Sequence, residues 1–289
     1  MTKIYCSTGG ARESALKVAE FFVRQSIYNI ELSGGMYDKD SNDKIFKLKK
    51  QGADIILHNY FPVPKSSFVL NLASLNSNIV KKTMEFYKHS ITLSRKIGSQ
   101  IYAVHSGFLV DPRVNELGKN FTKYDVADRT LATEVFYKNI SDLSIFAQKN
   151  DVQLYVENNV ISVPNFEKYG EDIFLMTNFE DFNDFNRYFR KEVKVLLDVG
   201  HLKVSCQALG LDKIQQLSLS NNLISGYHLH DNCGLTDDHL IFELEQAWFL
   251  DQLKPNVDFI TLEIHDFEDL GLASLTNQLG RKINQKDLI

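Results

Sequence analysis

The residues of this chain best able to do chemistry are histidines and carboxylates that end apolar runs. His58 closes Ile-Ile-Leu-His-Asn, His105 closes Tyr-Ala-Val-His-Ser-Gly, and Glu157 closes Leu-Tyr-Val-Glu-Asn-Asn. Asp198 and His201 close Leu-Leu-Asp-Val-Gly-His. His228, His230 and Asp231 close Tyr-His-Leu-His-Asp-Asn, with Asp237 and His239 just beyond, and Glu263 closes Thr-Leu-Glu-Ile-His. Imidazole mixed with carboxylate suits Zn²⁺ or Mn²⁺ better than Ca²⁺, with Mg²⁺ a further alternative. His58, His105, Glu157, Asp198, His201, His228, Asp237, His239 and Glu263 are more donors than one four-coordinate ion can use. That surplus points to several ions bridged by carboxylates.

Each residue also has a plainer reading. A lone strand-end histidine is commonly a hydrogen-bonded core or loop residue, and a buried carboxylate commonly caps a helix or pairs with a lysine. Here that reading would have to hold independently at six strand ends, with many charges buried at high cost. Other histidines differ. His89 falls on the helix face opposite Tyr87 and reads as solvated. His230 and His265 each lie two residues past a presumed ligand, on the same side of a strand, and read as neighbours that orient the ligands.

Elements that could bring these groups together are legible as an alternation. Eight β-like runs cover Lys3–Cys6, Asn29–Leu32, Asp54–His58, Gln100–His105, Gln153–Glu157, Val193–Asp198, Gly226–His230 and Phe259–Glu263. Between them lie helical patterns. Ser77–Ile97 carries a stripe of Val80, Met84, Tyr87 and Ile91, and Arg129–Asn150 carries Leu131, Val135, Phe136, Ile140 and Leu143. Gly52 and Gly98 sit where helix C-caps need positive φ. Eight such units without a Pro/Gly/Ser-rich linker predict an α/β fold: one (β/α)₈ TIM barrel domain spanning 1–289. Length alone would also allow two domains, and a doubly wound open sheet is the alternative topology. The count of eight favours the barrel, as does the lack of GxGxxG after the first strand. Its strand ends converge on one face, under the long loops Ser106–Asp128 and Asn158–Phe174.

Composition excludes little. The 289 residues are 44% hydrophobic and 24% charged, as in ordinary globular proteins. No apolar run reaches the ~20 residues of a membrane span, and no signal-peptide pattern opens the chain. Cys6, Cys206 and Cys233 are too scattered for a disulfide framework, so a reducing, cytoplasmic setting is expected. The net charge of −5 disfavours a surface coated for nonspecific nucleic-acid binding, without excluding local basic loops. Lys44, Lys47, Lys49 and Lys50 read as a solvated helix face above buried Ile45 and Leu48. Arg113, Lys119 and Lys123 lie in a loop expected to overhang the site, with ordinary surface charge as their plainer reading.

The ligand pattern resembles the xylose isomerase-like TIM-barrel superfamily over nearly the whole chain. That superfamily includes sugar isomerases, epimerases and the endonuclease IV family (AP endonuclease family 2). The endonuclease IV pattern can be followed through His58, His105, Glu157, Asp198-Val199-Gly200-His201, His228-Leu229-His230-Asp231, Asp237-Asp238-His239 and Glu263. The resemblance implies up to three zinc ions. The first would be held by His58, His105 and Glu157, the second by Glu157, Asp198, His228 and Glu263, the third by His201, Asp237 and His239. Most of the sugar isomerases keep only the second group. Several positions depart from the nuclease pattern. It has D-T-C-H where this chain has Gly200 before His201, and an Asn where this chain has His230; its Gly-rich run after the glutamate is replaced by Asn158-Asn159-Val160-Ile161-Ser162. Ser67-Phe68-Val69-Leu70-Asn71-Leu72 resembles the segment the nucleases insert into DNA, whereas Glu31 in strand two resembles the sugar isomerases.

Two enzymatic expectations follow. One is phosphoester hydrolysis, with Glu157 bridging ions and helping to orient the attacking water, on abasic DNA or a small sugar phosphate. The other is sugar or sugar-phosphate isomerisation or epimerisation, with Glu157 and Glu263 exchanging a proton beside a polarised carbonyl. The lack of an Arg shortly after the strand-seven histidine weakens the second reading. His230, Glu31, Arg113 and Phe68 are the candidate substrate contacts. A non-catalytic metal-stabilised barrel is a third reading, for which the polar shell is too rich.

Overall fold

Short apolar segments alternating with helices close into one parallel barrel in the order β1 to β8, with β8 pairing back onto β1. The computed structural model describes residues 2–10, 12–265 and 271–286. β1 (Lys3–Ser7) leads through α1 (Ala15–Arg24) to β2 (Asn29–Leu32), α2 (Ser41–Lys50) and β3 (Asp54–His58). Then come α3 (Ser77–Lys96), β4 (Ile101–His105), α4 (Arg129–Gln148), β5 (Gln153–Glu157), α5 (Val163–Tyr169) and α6 (Phe179–Phe189). The remainder runs β6 (Lys194–Asp198), α7 (Val199–Leu209), α8 (Lys213–Ser220), β7 (Ile224–Leu229), β8 (Phe259–Leu262) and α9 (Gly271–Lys286). The eight strands fall where the alternation predicts them, within two residues at each end. Gly52 and Gly98 have φ of +95° and +74°.

The two-residue period of a strand explains how the barrel holds both a dry floor and a polar rim. Tyr5, Ile56, Ala103, Tyr155, Leu196 and Phe259 form an apolar layer inside the barrel. Two residues further along, the same inner face presents His58, His105, Glu157 and Asp198. Gly226 makes room for Phe259: a Cβ there would lie 3.0 Å from the phenyl ring. His228 follows two residues later, in register with Asp198.

Outside, helices cover the strands with buried stripes. In α4 the stripe is Ala132, Phe136, Ile140, Leu143 and Ala147. Leu131, expected on that stripe, is 51% exposed, because one residue step turns it about 100° away. In α2, Ile45 and Leu48 are buried as expected, and the lysines face outward, Lys44 bonding Asp38 at 2.6 Å. His89 is exposed. Among the described residues no helix is long and apolar enough to cross a membrane, and the three cysteines are unpaired.

Asn71 ties the loops above β3 and β4 together. Its Nδ2 donates to the carbonyls of Phe108 and Val110 and to Asp111, at 2.9–3.2 Å. Its Oδ1 accepts from the backbone N–H groups of Ala73 and Phe108. Asn71→Ala leaves several of these buried groups without partners, so urea unfolding should show a loss of about 2–4 kcal/mol. A loss below ~0.5 kcal/mol, the range of an ordinary surface change, would show that the loops are anchored elsewhere.

Candidate metal centre

All nine expected ligands meet at the C-terminal mouth of the barrel. They form three donor groups whose ligand atoms lie within 4.8 Å of one another: His58, His105 and Glu157; Glu157, Asp198, His228 and Glu263; and His201, Asp237 and His239 together with His230. Glu157 joins the first two. Its Oε2 is 2.6 Å from His58 Nε2 and 3.1 Å from His105 Nε2. Its Oε1 is 3.5 Å from Nδ1 of both His201 and His228.

Local structure fixes these side chains. Asp198 ends β6 and also caps α7, accepting the His201 N–H at 2.7 Å. Asn158, just after β5, accepts the Asp198 N–H on its side chain and faces His201 Nδ1 with its carbonyl at 2.8 Å. His239 lies in the left-handed region at φ +50°, held between the Asp231–Leu240 bridge and a bond from its Nδ1 to the Glu263 carbonyl at 3.0 Å. A non-glycine residue kept in that region marks a conformation imposed by its surroundings. Glu31 lies under the site, accepting from His228 Nε2 at 3.1 Å and Thr261 Oγ1 at 2.9 Å.

These second partners determine which nitrogen faces the centre. A carbonyl can only accept, so Nδ1 of His201 and of His239 carries the proton. Neutral imidazoles then aim bare Nε2 lone pairs at the same atom, Asp237 Oδ2, from 3.0 and 2.9 Å. Glu31 likewise fixes the proton of His228 on Nε2 and turns Nδ1 toward Glu263 Oε2 at 2.7 Å. Lone pairs facing carboxylates repel unless protons or cations lie between them. Glu157 Oε1 and Asp237 Oδ1 are also buried without a hydrogen bond. The donor set therefore fits divalent cations.

Without cations, protons take their place. Burial works against the charged form of every group here, and mutual attraction overrides it. Asp198 and Asp237 hold His201 well above its usual range. Glu31, Glu157 and Glu263 do the same for His228, and Glu157 and Glu31 raise His58. His239 is raised to about 9, chiefly by its bond to Asp237. Glu157, Asp237 and Glu263 are held well below the carboxylate range by the facing imidazoles, and Asp198 is lowered too.

A cavity of about 880 Å³ opens above the cluster. Phe68 lines it with Tyr60, Phe108, Phe121, Phe174 and Leu235, while His58, His105, His201, Asp237, His239 and Glu263 form its polar part. The other three expected substrate contacts do not line it. Glu31 is 1% exposed and sealed beneath His228. His230 is buried behind His239. Arg113 is exposed outside the cavity, and Lys119 from the same loop is the lysine or arginine that lines it. His265 lines the cavity, stacked on His239 at 3.9 Å. Gly9 and Gly10 also form part of this site. A Cβ at Gly9 would lie 2.8 Å from Glu263 Oε1, and one at Gly10 would lie 2.3 Å from the His265 ring. Nothing in the linear pattern around these glycines or Asn158 signals that role.

A closed parallel barrel with a cluster of divalent-cation donors at its mouth is the class this architecture defines. The chain belongs to the xylose isomerase-like TIM barrel family, whose pattern matches residues 19–271. It is 24% identical over 209 residues to the uncharacterized protein MJ1614 of Methanocaldococcus jannaschii, covering 71% of this chain and 70% of that one. The fold matches a D-tagatose 3-epimerase-like protein with a TM-score of 0.70 at 18% identity, covering 98% and 99% of the two chains. It also matches an AP endonuclease, family 2, from Brucella melitensis with a TM-score of 0.68 at 13% identity, covering 96% and 99%. Structures described as an epimerase-like protein and as an AP endonuclease thus share this barrel.

Proposed function

We propose that the protein is a multinuclear divalent-metal phosphoester hydrolase acting on a sugar-phosphate-containing substrate, with zinc as the first choice of ion. The carrying observation is the third donor group: His201, Asp237 and His239 face the cavity beside the Glu157-linked groups, and Asp237 Oδ1 is buried without a hydrogen bond. Divalent ions, when bound, supply positive charge against a phosphoryl group and make water acidic enough to attack near neutral pH. The chain's own residues do the rest. His58, His105 and Glu157 make the first group, and Glu157, Asp198, His228 and Glu263 the second. Glu157 positions both and helps to orient the attacking water. Tyr60, Phe68 and Phe174 wall off bulk water above.

Lys119 as the single lysine or arginine among the described residues that line the cavity, on a chain of net charge −5, favours a small sugar phosphate over abasic duplex DNA, which needs many cations along its backbone. One specific observation favours the second reading, a sugar isomerase or epimerase: Glu157, Asp198, His228 and Glu263 make a complete mononuclear site, with two carboxylates available to exchange a proton.

Metal analysis of protein purified without chelator separates the readings. Hydrolysis requires more than one ion per chain, approaching three, and chelator-sensitive phosphate release from a panel of sugar phosphates. About one ion per chain, with ketose epimerisation that survives His239→Ala, would replace it with the second reading. Chelator-sensitive nicking of abasic duplex would restore DNA as the substrate.

A further inference from the structure

His230 is the one buried histidine of the cluster that the three expected ligand sets leave out, and Gly200 is what lets it in. A Cβ at residue 200 would sit 1.9 Å from His230 Cε1 and 2.4 Å from its Nε2. The ring has little room to yield. It is wholly buried and stacked on the His239 ring at 4.0 Å with 25° between the planes. Its Nε2 lies 3.0 and 3.1 Å from the two Asp198 oxygens.

We propose that His230 is a fourth protein ligand of the third donor group, so that this ion is enclosed by His201, His230, Asp237 and His239. The inference rests on the multinuclear reading above. Donors about 2.1 Å from one tetrahedral ion lie roughly 3.3–3.4 Å apart. His201 Nε2 and His239 Nε2 stand 3.0 and 2.9 Å from Asp237 Oδ2, and His230 Nε2 stands 3.6 Å from Asp237 Oδ1. The first two reach one Asp237 oxygen and the third reaches the other, and one donor atom from each of the four side chains lies within 4.8 Å of the rest, close enough to share one ion. Asp237 Oδ1 is the buried oxygen without a hydrogen bond, and His230 is the imidazole that faces it. The other ring nitrogen, Nδ1, reaches only the Asp231 carbonyl, at 3.4 Å. His201, Asp237 and His239 approach from the cavity wall and His230 from behind it. Four protein ligands leave no open position, as in structural zinc sites. Hydrolysis would still depend on the third ion, which would hold Asp237, His201 and His239 in place on the cavity wall while substrate meets the first two groups.

The test uses full-length protein loaded with Zn²⁺ or Co²⁺, with His230→Asn, His230→Gln, Gly200→Ala and the Gly200→Ala/His230→Asn double variant. The wild type should hold close to three ions, with the third Co²⁺ giving the intense visible absorption of a four-coordinate site. Each single variant should bind the third ion on the order of 1,000-fold more weakly, or worse, beyond the roughly 10–100-fold that losing an outer-shell partner costs. Its Co²⁺ absorption should weaken as water replaces nitrogen. A loss within that smaller range, with an unchanged Co²⁺ spectrum, would make His230 a neighbour that orients Asp198. The double variant should be no worse than His230→Asn, because Gly200→Ala acts only by displacing the ring. Near-UV circular dichroism identifies folded variants, and His230→Gln keeps most of the side-chain volume. A folded His230 variant that keeps the third ion with unchanged affinity and Co²⁺ spectrum overturns the proposal and leaves the multinuclear reading standing. A wild type that binds a single ion overturns both, which the variants do not need to show.

Discussion

Glu157→Gln should reduce phosphoester turnover by roughly 10³-fold or more, the scale of losing a preorganised charge that acts in the transition state. It should also strip ions from two groups at once. Glu157 has no exposed surface, and its two oxygens face four imidazoles from β3, β4, α7 and β7. The amide has nearly the same shape, but it removes one negative charge and puts an N–H₂ group where an anionic oxygen could hold a cation. Shape is kept and chemistry lost. Elemental analysis of the variant should therefore show at least one ion fewer than wild type, alongside the kinetic defect. If Glu157→Gln kept a tenth of wild-type turnover with full metal content, Glu157 would be neither a bridging ligand nor a group that orients water.

The second large effect is on stability, and its sign depends on pH. In the metal-free protein the cluster is held together by protonated histidines facing ionised carboxylates. His239 has a folded pKa of about 9 against an unfolded value of 6.5. A raised histidine contributes its full stabilisation below pH 6.5 and loses it as pH rises through 9. For His239 alone the ceiling is about 3 kcal/mol, and His201 and His228, also raised, add in the same direction. Metal-free protein should thus lose stability steadily from pH 6.5 to 9. The carboxylates of the cluster, held low, keep their contribution throughout that window and lose it only in acid. Loaded protein should behave oppositely below neutrality, because protons compete with metal for imidazole and carboxylate.

At neutral pH each ion present at 100 times its dissociation constant adds about 2.7 kcal/mol. Stripping all the ions should lower the melting temperature by on the order of 10 °C or more in a chain of this size. Thermal melts with and without chelator across pH 5.5–9 check both slopes; overlapping curves would mean that the cluster does not hold metal in solution.

The predicted architecture and the nine donors rested on local rules. A strand alternates sides every residue, so Ile56 before His58, Tyr155 before Glu157 and Leu196 before Asp198 already place an apolar floor beneath a polar rim. Helix stripes and the glycines at Gly52 and Gly98 placed the connections, and Leu131 slipped only by one residue of phase. Identity of a donor and its place at a strand end are local properties, and a barrel converts strand ends into neighbours.

What the chain could not reveal by itself is what each group faces across the mouth. Glu31 has the composition of a substrate contact, yet its side chain is sealed under His228, because β2 and β7 approach each other only in the closed barrel. Arg113 and Lys119 look alike in a loop, and only the path of that loop turns one outward and one into the cavity. Asn158, Gly9 and Gly10 orient or make room for ligands from distant strands. Gly200 and His230 read as unrelated departures from a pattern until the fold puts one ring in the space of the missing Cβ. Residue type and strand position thus fixed which atoms could chelate. Tautomer, partner and access depended on contacts between residues far apart in the chain, and those distances exist only once the barrel is closed.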